Sequence, residues 1–239
     1  MTAIRAHTPA THTLLIVNPN STAAMTTALA PIITPLLPPT FAATYFTGPP
    51  SSPPSINNAA DSDASATACF PLLLPLLLTH DAVLIACYSG HPLVPQLRAV
   101  TSTPVIGILE ASVYHSLALL APQGRFGIVT TGAAWEPLLS TAVEELLGGK
   151  GRFRGVTSTG LDADQLHRVG KVELDRRMGE ATRKLVQEGN TEVVCLGCAG
   201  MVGLREVVEN AAEEIGRKVR VVDGVEAGVG VLVGLMGRY

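Results

Sequence analysis

Aromatic residues and charge are both scarce in this chain. Of its 239 residues, 4% are Phe, Trp or Tyr and 15% are charged, with a formal net charge of −3. So few aromatics leave no stacking platform for bases, and no basic patch is present to neutralise phosphates, so nucleic acid is not an expected partner. The most apolar run, residues 68–78 (ACFPLLLPLLL), is interrupted by Pro71 and Pro75 and is far shorter than the ~20 residues that cross a bilayer. It reads as a buried, proline-broken helix, and no membrane association is expected. A glycine-rich dinucleotide fingerprint after the first strand is absent, as is a Walker A loop, so no cofactor is expected. Gly228, Gly230 and Gly234 fall in a C-terminal helical stretch instead. The 4 cysteines are too few and too scattered for a secreted disulfide framework, which implies reduced thiols and a cytoplasmic protein. Residues 1–12 (MTAIRAHTPATH) contain no apolar core of a leader and read as a loose tail.

What is abundant is apolar, β-branched sequence ending at small polar residues. Residues 192–201, EVVCLGCAGM, run a buried strand into Gly197, then Cys198, then a tight Ala199-Gly200 turn toward a helix. A thiol there would face unpaired backbone N–H groups and the positive end of a helix dipole, so Cys198 is expected to ionise below the usual ~8.5. Residues 81–90, DAVLIACYSG, repeat the arrangement with Cys87. Each cysteine also has an upstream partner strand, LLIV ending at Asn18 and FGIV ending at Thr130. The spacings agree, 69 positions from Asn18 to Cys87 and 68 from Thr130 to Cys198. After each cysteine comes a further strand followed by Glu-Ala, in VIGILEAS (105–112) and VVDGVEAG (221–228). The chain is therefore read as two similar α/β halves, each with one cysteine at the carboxyl end of a strand.

The expected order is strand 14–18, helix 21–36, strand 41–46, helix 57–78, strand 82–87, helix 92–101, strand 104–108 and helix 111–121. The second half repeats it with strand 125–130, helix 135–148, strand 153–158, helix 163–188, strand 192–197, helix 203–216, strand 219–223 and helix 225–236. Such alternation predicts two α/β domains, each a parallel sheet with helices on both faces, with the active-site cleft between them. Strand ends line the ligand site in such sheets, which brings Asn18, Cys87, Thr130 and Cys198 toward one cleft. The Pro-rich segment 48–58 is either a mobile cover for that cleft or a surface excursion.

Taken together, NPNST (18–22), the Cys87 turn, LGCAGM (196–201) and DGVEAG (223–228) resemble the aspartate/glutamate/hydantoin racemase superfamily, in particular its hydantoin and allantoin racemase branch. The resemblance covers nearly the whole chain. It implies two facing domains, roughly 1–110 plus 220–239 and 111–219, with the last strand and helix returning to the first, and homo-oligomers as often found in the family. The turn Cys87-Tyr88-Ser89-Gly90-His91-Pro92 departs from the acidic, Pro-Gly-containing turn of hydantoin racemases and is nearer a fungal branch, which leaves the substrate open. An allantoin substrate would belong to purine catabolism.

The resemblance implies a small-molecule substrate, a cyclic ureide. Its C5 hydrogen lies beside a ring carbonyl, so a thiolate on one face can remove it and a thiol on the other can return a proton, with Cys87 and Cys198 as the pair. Backbone N–H groups at Tyr88, Ser89, Gly90, Ala199 and Gly200 are candidates to stabilise the enolate oxygen. Asn18, Thr130 and Thr131 are candidates to hold the ring edges. His91 either assists Cys87 or caps its turn, the commoner role. Cys69 and Cys195 read as small buried hydrophobes. Cys195 and Cys198 form a C-x-x-C with no second pair at zinc-ligand spacing, so no metal is expected. Glu110 and Glu226 read as first-turn helix carboxylates. Competing readings keep the fold and change the reaction, to amino-acid racemisation or maleate-type cis–trans isomerisation, or retain the cleft as a non-catalytic binder.

Overall fold

The computed structural model describes residues 10–187 and 189–237. Strands and α-helices alternate throughout. The first half contains β1 (His12–Asn18), α1 (Ala23–Ile33), β2 (Phe41–Thr47), α2 (Ala59–Leu73), β3 (Ala82–Ile85), α3 (Leu93–Arg98), β4 (Val105–Gly107) and α4 (Ile108–Leu119). The second contains β5 (Arg125–Thr130), α5 (Trp135–Leu147), β6 (Phe153–Ser158), α6 (Lys171–Val186), β7 (Thr191–Gly197), α7 (Arg205–Glu213), β8 (Arg220–Asp223) and α8 (Gly224–Met236). Each half forms a four-stranded parallel sheet, in the orders β2-β1-β3-β4 and β6-β5-β7-β8. The orders are the same, so the repeat inferred from cysteine spacing is a repeat of topology.

Parallel strands need a crossover to bring the chain back, and the helices supply it on both faces. Period-2 alternation sorts the side chains. Leu14, Ile16 and Leu84 enter the core facing α1 and α8, while Leu15, Val17 and Ile85 face α2 and α3. In the second sheet Phe126, Ile128 and Val193 take the inner face, and Val129, Val194 and Leu196 pack on α6 and α7.

The inner cores are one cluster, because the halves exchange helices. From β4 the chain enters α4, which lies on the second sheet, where the Ser116 hydroxyl and the Cys195 thiol are 3.1 Å apart. From β8 it enters α8, which lies on the first, where Gly228 sits so close to Leu84 that a Cβ would come within 2.4 Å of its Cδ1. The expected return of residues 220–239 to the first domain is corrected at its first element. Strand β8 pairs with β7, Val194 opposite Val221, and completes the second sheet, so only α8 crosses over.

The repeat extends to side chains. Arg98 of α3 bonds the Val105 carbonyl and pairs with Glu110 of α4 at 2.7 Å. Arg205 of α7 likewise bonds the Val221 carbonyl and pairs with Glu226 of α8 at 3.0 Å. Both carboxylates lie in a helix first turn, as the sequence implied, and each clasps a helix to a strand.

Other boundaries moved for local reasons. The expected helix 57–78 divides at Leu73 into α2 and a 3-10 turn, Leu74–Leu78, because Pro75 has no N–H for the α-helical ladder. Helix α6 starts at Lys171 rather than 163, after a 3-10 turn at Gln165–His167 and Gly170. Of the tail expected at 1–12, residues 1–9 lie outside the described residues, whereas Thr11 and His12 donate their N–H groups to the Thr40 carbonyl at 2.8 and 3.0 Å. No helix among the described residues is long and apolar enough to cross a membrane.

Candidate functional site

A cavity of about 320 Å³ opens between the carboxyl ends of the two sheets, and Cys87 and Cys198 both line it. Cys87 lies in the turn just past β3 and Cys198 immediately past β7. Gly197 makes the second placement possible, since a Cβ there would stand 2.7 Å from the Val129 carbonyl of the adjoining strand. The thiols have different companions. Cys87 has the Ser89 hydroxyl at 3.5 Å, whereas Cys198 accepts the Gly200 N–H at 3.4 Å.

Neither sulfur faces the start of a long helix. Cys198 precedes only a 3-10 turn, Ala199–Met201, and Cys87 lies well before Leu93, where α3 begins. The expected fall in thiol pKa is therefore reversed. Burial pushes Cys87 up to about 12; the Ser89 hydroxyl opposes the rise and the nearby Cys198 adds to it. Burial pushes Cys198 up to about 11, with the Gly200 N–H opposing and the Asp223 carboxylate adding.

Of the other residues anticipated from sequence, Asn18, Thr131, Ala199 and Gly200 line the cavity. Asn18 spends its amide internally, donating to Asn20 Oδ1 at 2.9 Å, Thr26 Oγ1 at 3.0 Å and the Thr22 carbonyl at 3.3 Å. Its Oδ1 accepts the Asn20 N–H. It is thus the brace of the 18–22 turn. The Thr131 hydroxyl is on the wall with no protein partner among the described residues. Thr130, Ser89, Gly90 and His91 are not on the wall. Thr130 donates to the Gly197 carbonyl at 3.0 Å and ties β5 to β7, and the Ser89 N–H is taken by the Cys87 carbonyl at 3.1 Å. Gly90 is exposed, and its Cβ position meets Ala142 of α5 at 3.1 Å.

His91 is 1% exposed, with Nε2 2.9 Å from the Ser65 hydroxyl and Nδ1 accepting the Leu93 N–H at 3.3 Å. Burial lowers its pKa to about 4, so it stays neutral and caps the turn.

Several wall side chains lie in stretches marked from the sequence but were not themselves singled out. Asn20 stands inside the NPNST turn and keeps its Nδ2 near Met25 Sδ, a weak acceptor, at 3.2 Å. Tyr88 follows Cys87 and is anchored through its hydroxyl to Ser112 Oγ at 2.7 Å. Ser55 and Ile56 come from the Pro-rich segment, which is a wall of the cavity held in place. Ser21 N–H and Thr22 Oγ1 donate to the Pro53 and Pro54 carbonyls, and Asn57 Oδ1 accepts the Ala163 N–H of the other half at 3.4 Å.

The Asp/Glu/Hydantoin racemase family model matches residues 14–232. The chain belongs to that family. Among curated relatives, the hydantoin racemase of Pseudomonas sp. (strain NS671) is 38% identical over 155 residues, 62% of this chain and 55% of that protein. The uncharacterized protein C1F7.10 of Schizosaccharomyces pombe is 36% identical over 156 residues, 65% of this chain and 63% of that protein. The matched stretches thus span less than two thirds of these relatives. Among solved structures, allantoin racemase from Pseudomonas fluorescens superposes with a TM-score of 0.81 at 27% identity, covering 94% of this chain and 91% of that one. The racemase family's two-domain fold accordingly accounts for nearly all of the molecule.

Proposed function

We propose that this protein is a cofactor-independent racemase of a 5-substituted hydantoin or related cyclic ureide, with Cys87 and Cys198 acting as paired acid and base. The observation that carries this reading is that the repeat delivers one thiol from each half to a single cavity. The similarity to hydantoin and allantoin racemases supports the substrate class.

At rest both groups are thiols. Cys198, with the Gly200 N–H on its sulfur, is the easier to ionise, and its charge then opposes ionisation of Cys87. Once Cys198 has lost its proton the pair holds a single one, on Cys87, and that minor ionised form is the state that racemisation needs. The thiolate removes the C5 proton, the electron pair passes into the ring carbonyl as an enolate, and the opposed thiol protonates C5 from the other face. The proton has then changed sides of the pair, which is set for the reverse enantiomer. Ser89 N–H and Gly200 N–H are already engaged, so the Thr131 hydroxyl and the Asn20 amide are assigned to the enolate and ring edges.

Polarimetry on single enantiomers of allantoin and 5-alkyl hydantoins, against enzyme-free controls, tests the reading. Racemisation by the wild type and its loss in Cys87→Ala and Cys198→Ala supports it, and a wild type that leaves every hydantoin untouched overturns it.

A further inference from the structure

Each sheet has two outer strands, and three of the four are guarded. On β4 the Arg98 guanidinium bonds the Val105 carbonyl, and on β8 Arg205 bonds the Val221 carbonyl. On β6 the register against β5 shifts between Phe153 and Gly155, a bulge that carries Arg154, and the Ser158 N–H goes to Glu136 at 2.8 Å. Bulges, charges and covering side chains keep sheet edges from pairing with other chains. Strand β2, the counterpart of β6 in the repeat, has none of them. Its sequence FAATYFT holds no proline and no charge. The Thr40 carbonyl and the Gly48 N–H are directed at β1, so alternation turns the N–H and C=O of Ala43 and Tyr45 outward, where no group among the described residues meets them. In a chain with 4% aromatic residues this strand holds Phe41, Tyr45 and Phe46, all only partly buried.

The flanks of this edge are uncharged as well. Residues 6–60 contain no Asp, Glu, Lys or Arg, whereas α5, β6 and the turn between them hold Glu136, Glu144, Glu145, Lys150, Arg152 and Arg154. On one flank α1 and the turn after it show Thr27, Pro31 and Leu36 to solvent. On the other, Leu78 is 87% exposed and stands two residues from His80, whose Nε2 meets the Thr44 hydroxyl of β2 at 2.5 Å. We propose that the β2 edge seats the β2 edge of a second copy of this chain, antiparallel about a two-fold axis, so that the first halves of two molecules share one eight-stranded sheet. A two-fold brings each side chain toward its own copy, so a charge on this strand would face its like; the strand carries none. The pairing gives the outward groups of Ala43 and Tyr45 their partners and covers the three half-buried aromatic rings.

Sedimentation velocity on the full chain tests this, beside Thr44→Lys, which puts a charge on the edge of both copies, Leu78→Glu on its flank, and a deletion of residues 2–9. A dimer, or a larger even-numbered assembly built on it, is expected for the wild type and for the deletion. Thr44→Lys and Leu78→Glu are expected to weaken the pairing about tenfold or more while far-UV circular dichroism stays unchanged. Amide hydrogen exchange at Ala43 and Tyr45 is expected to slow as the wild type associates and to stay fast in Thr44→Lys. A wild type that stays monomeric at the highest concentration reached overturns the proposal. A dimer that both substitutions leave untouched overturns it as well and places the interface elsewhere. A monomer that pairs only after the deletion also overturns it and makes the N-terminal segment the occupant of the edge.

Discussion

The turn after β3 and the turn after β7 occupy equivalent places in two sheets of the same strand order, yet they hold their thiols differently. Cys198 rests on a backbone N–H and shares its surroundings with Asp223, a buried carboxylate whose Oδ1 caps α8 through the N–H groups of Val225 and Glu226. Cys87 has only a hydroxyl beside it, and its turn is held by side chains, Tyr88 on Ser112 and His91 on Ser65. A repeat therefore supplies equivalent positions for two thiols without making their acidities equal. On the proposed mechanism, the inequality makes Cys198 the thiol that ionises first and Cys87 the one that keeps its proton.

Removing either sulfur breaks the comparison outright. Cys87→Ala and Cys198→Ala should each lower racemisation by roughly 10²–10⁴-fold or more, read by polarimetry, while the surviving thiol still exchanges one enantiomer's C5 proton with D₂O. Loss of exchange for both enantiomers in either variant would contradict the division of labour.

The pH dependence comes next in size. Only a thiolate takes the proton, and the easier thiol sits at about 11, so kcat/KM should climb about tenfold per pH unit through neutrality and level off only at strongly alkaline pH. Asp223→Asn keeps an oxygen to cap α8 and removes the charge that raises Cys198, so its profile should move toward lower pH. An unmoved profile would detach Asp223 from the site.

Ser112→Ala sharpens the comparison from the other side. It removes the Ser112 hydroxyl from the buried Tyr88 hydroxyl and leaves it only the weakly bonding Cys195 thiol, costing about 1–2 kcal/mol in denaturant unfolding. Turnover should fall roughly tenfold, because small misplacement of a reacting group is costly. The enantiomer deprotonated by Cys87 should suffer more than the other, which a merely structural loss would not produce.

The smallest effect on catalysis is expected at His91. His91→Gln should leave neutral-pH turnover within about twofold and change the acid limb of stability instead. The folded-state pKa of about 4 lies below the unfolded ~6.5, so the unfolded chain binds the proton first. Stability from this site is full above about 6.5 and is lost as pH falls toward 4, by at most roughly 3 kcal/mol. The variant should flatten that slope in urea titrations at a series of pH values.

The fold was legible because its signals are local and repeated. β-branched runs ended at Asn18, Cys87, Thr130 and Cys198 in both halves with matched spacing, and parallel pairing follows from the alternation. Helix exchange was only half legible. The run VVDGVEAG gives no sign that its strand stays with β7 while its helix leaves for the first sheet, since both pieces are apolar and either sheet would bury them.

The two cysteines were legible for the same reason as the fold, and their protonation was not. Acidity depends on how much protein closes around a sulfur and on whether a full helix follows it, and a three-residue 3-10 turn reads the same as a helix start in AGMVGL. Asn20, Ile56 and Tyr88 lie in stretches the sequence did mark, the NPNST run, the Pro-rich segment and the Cys87 turn, but their meeting with Trp135 of α5 around one cavity is set by the fold, and no local pattern shows it.

The most direct test of the two-thiol account is the isotope content of each enantiomer during the first few per cent of racemisation in D₂O, followed by NMR with chiral separation, starting from either hand of a turned-over hydantoin. The account expects the newly formed enantiomer to carry deuterium at C5 while the remaining substrate stays protiated, in both directions, because the group that takes the proton is not the group that returns one. Product that keeps the original hydrogen, or substrate and product labelled alike from the start, would mean that one base serves both faces and would contradict it.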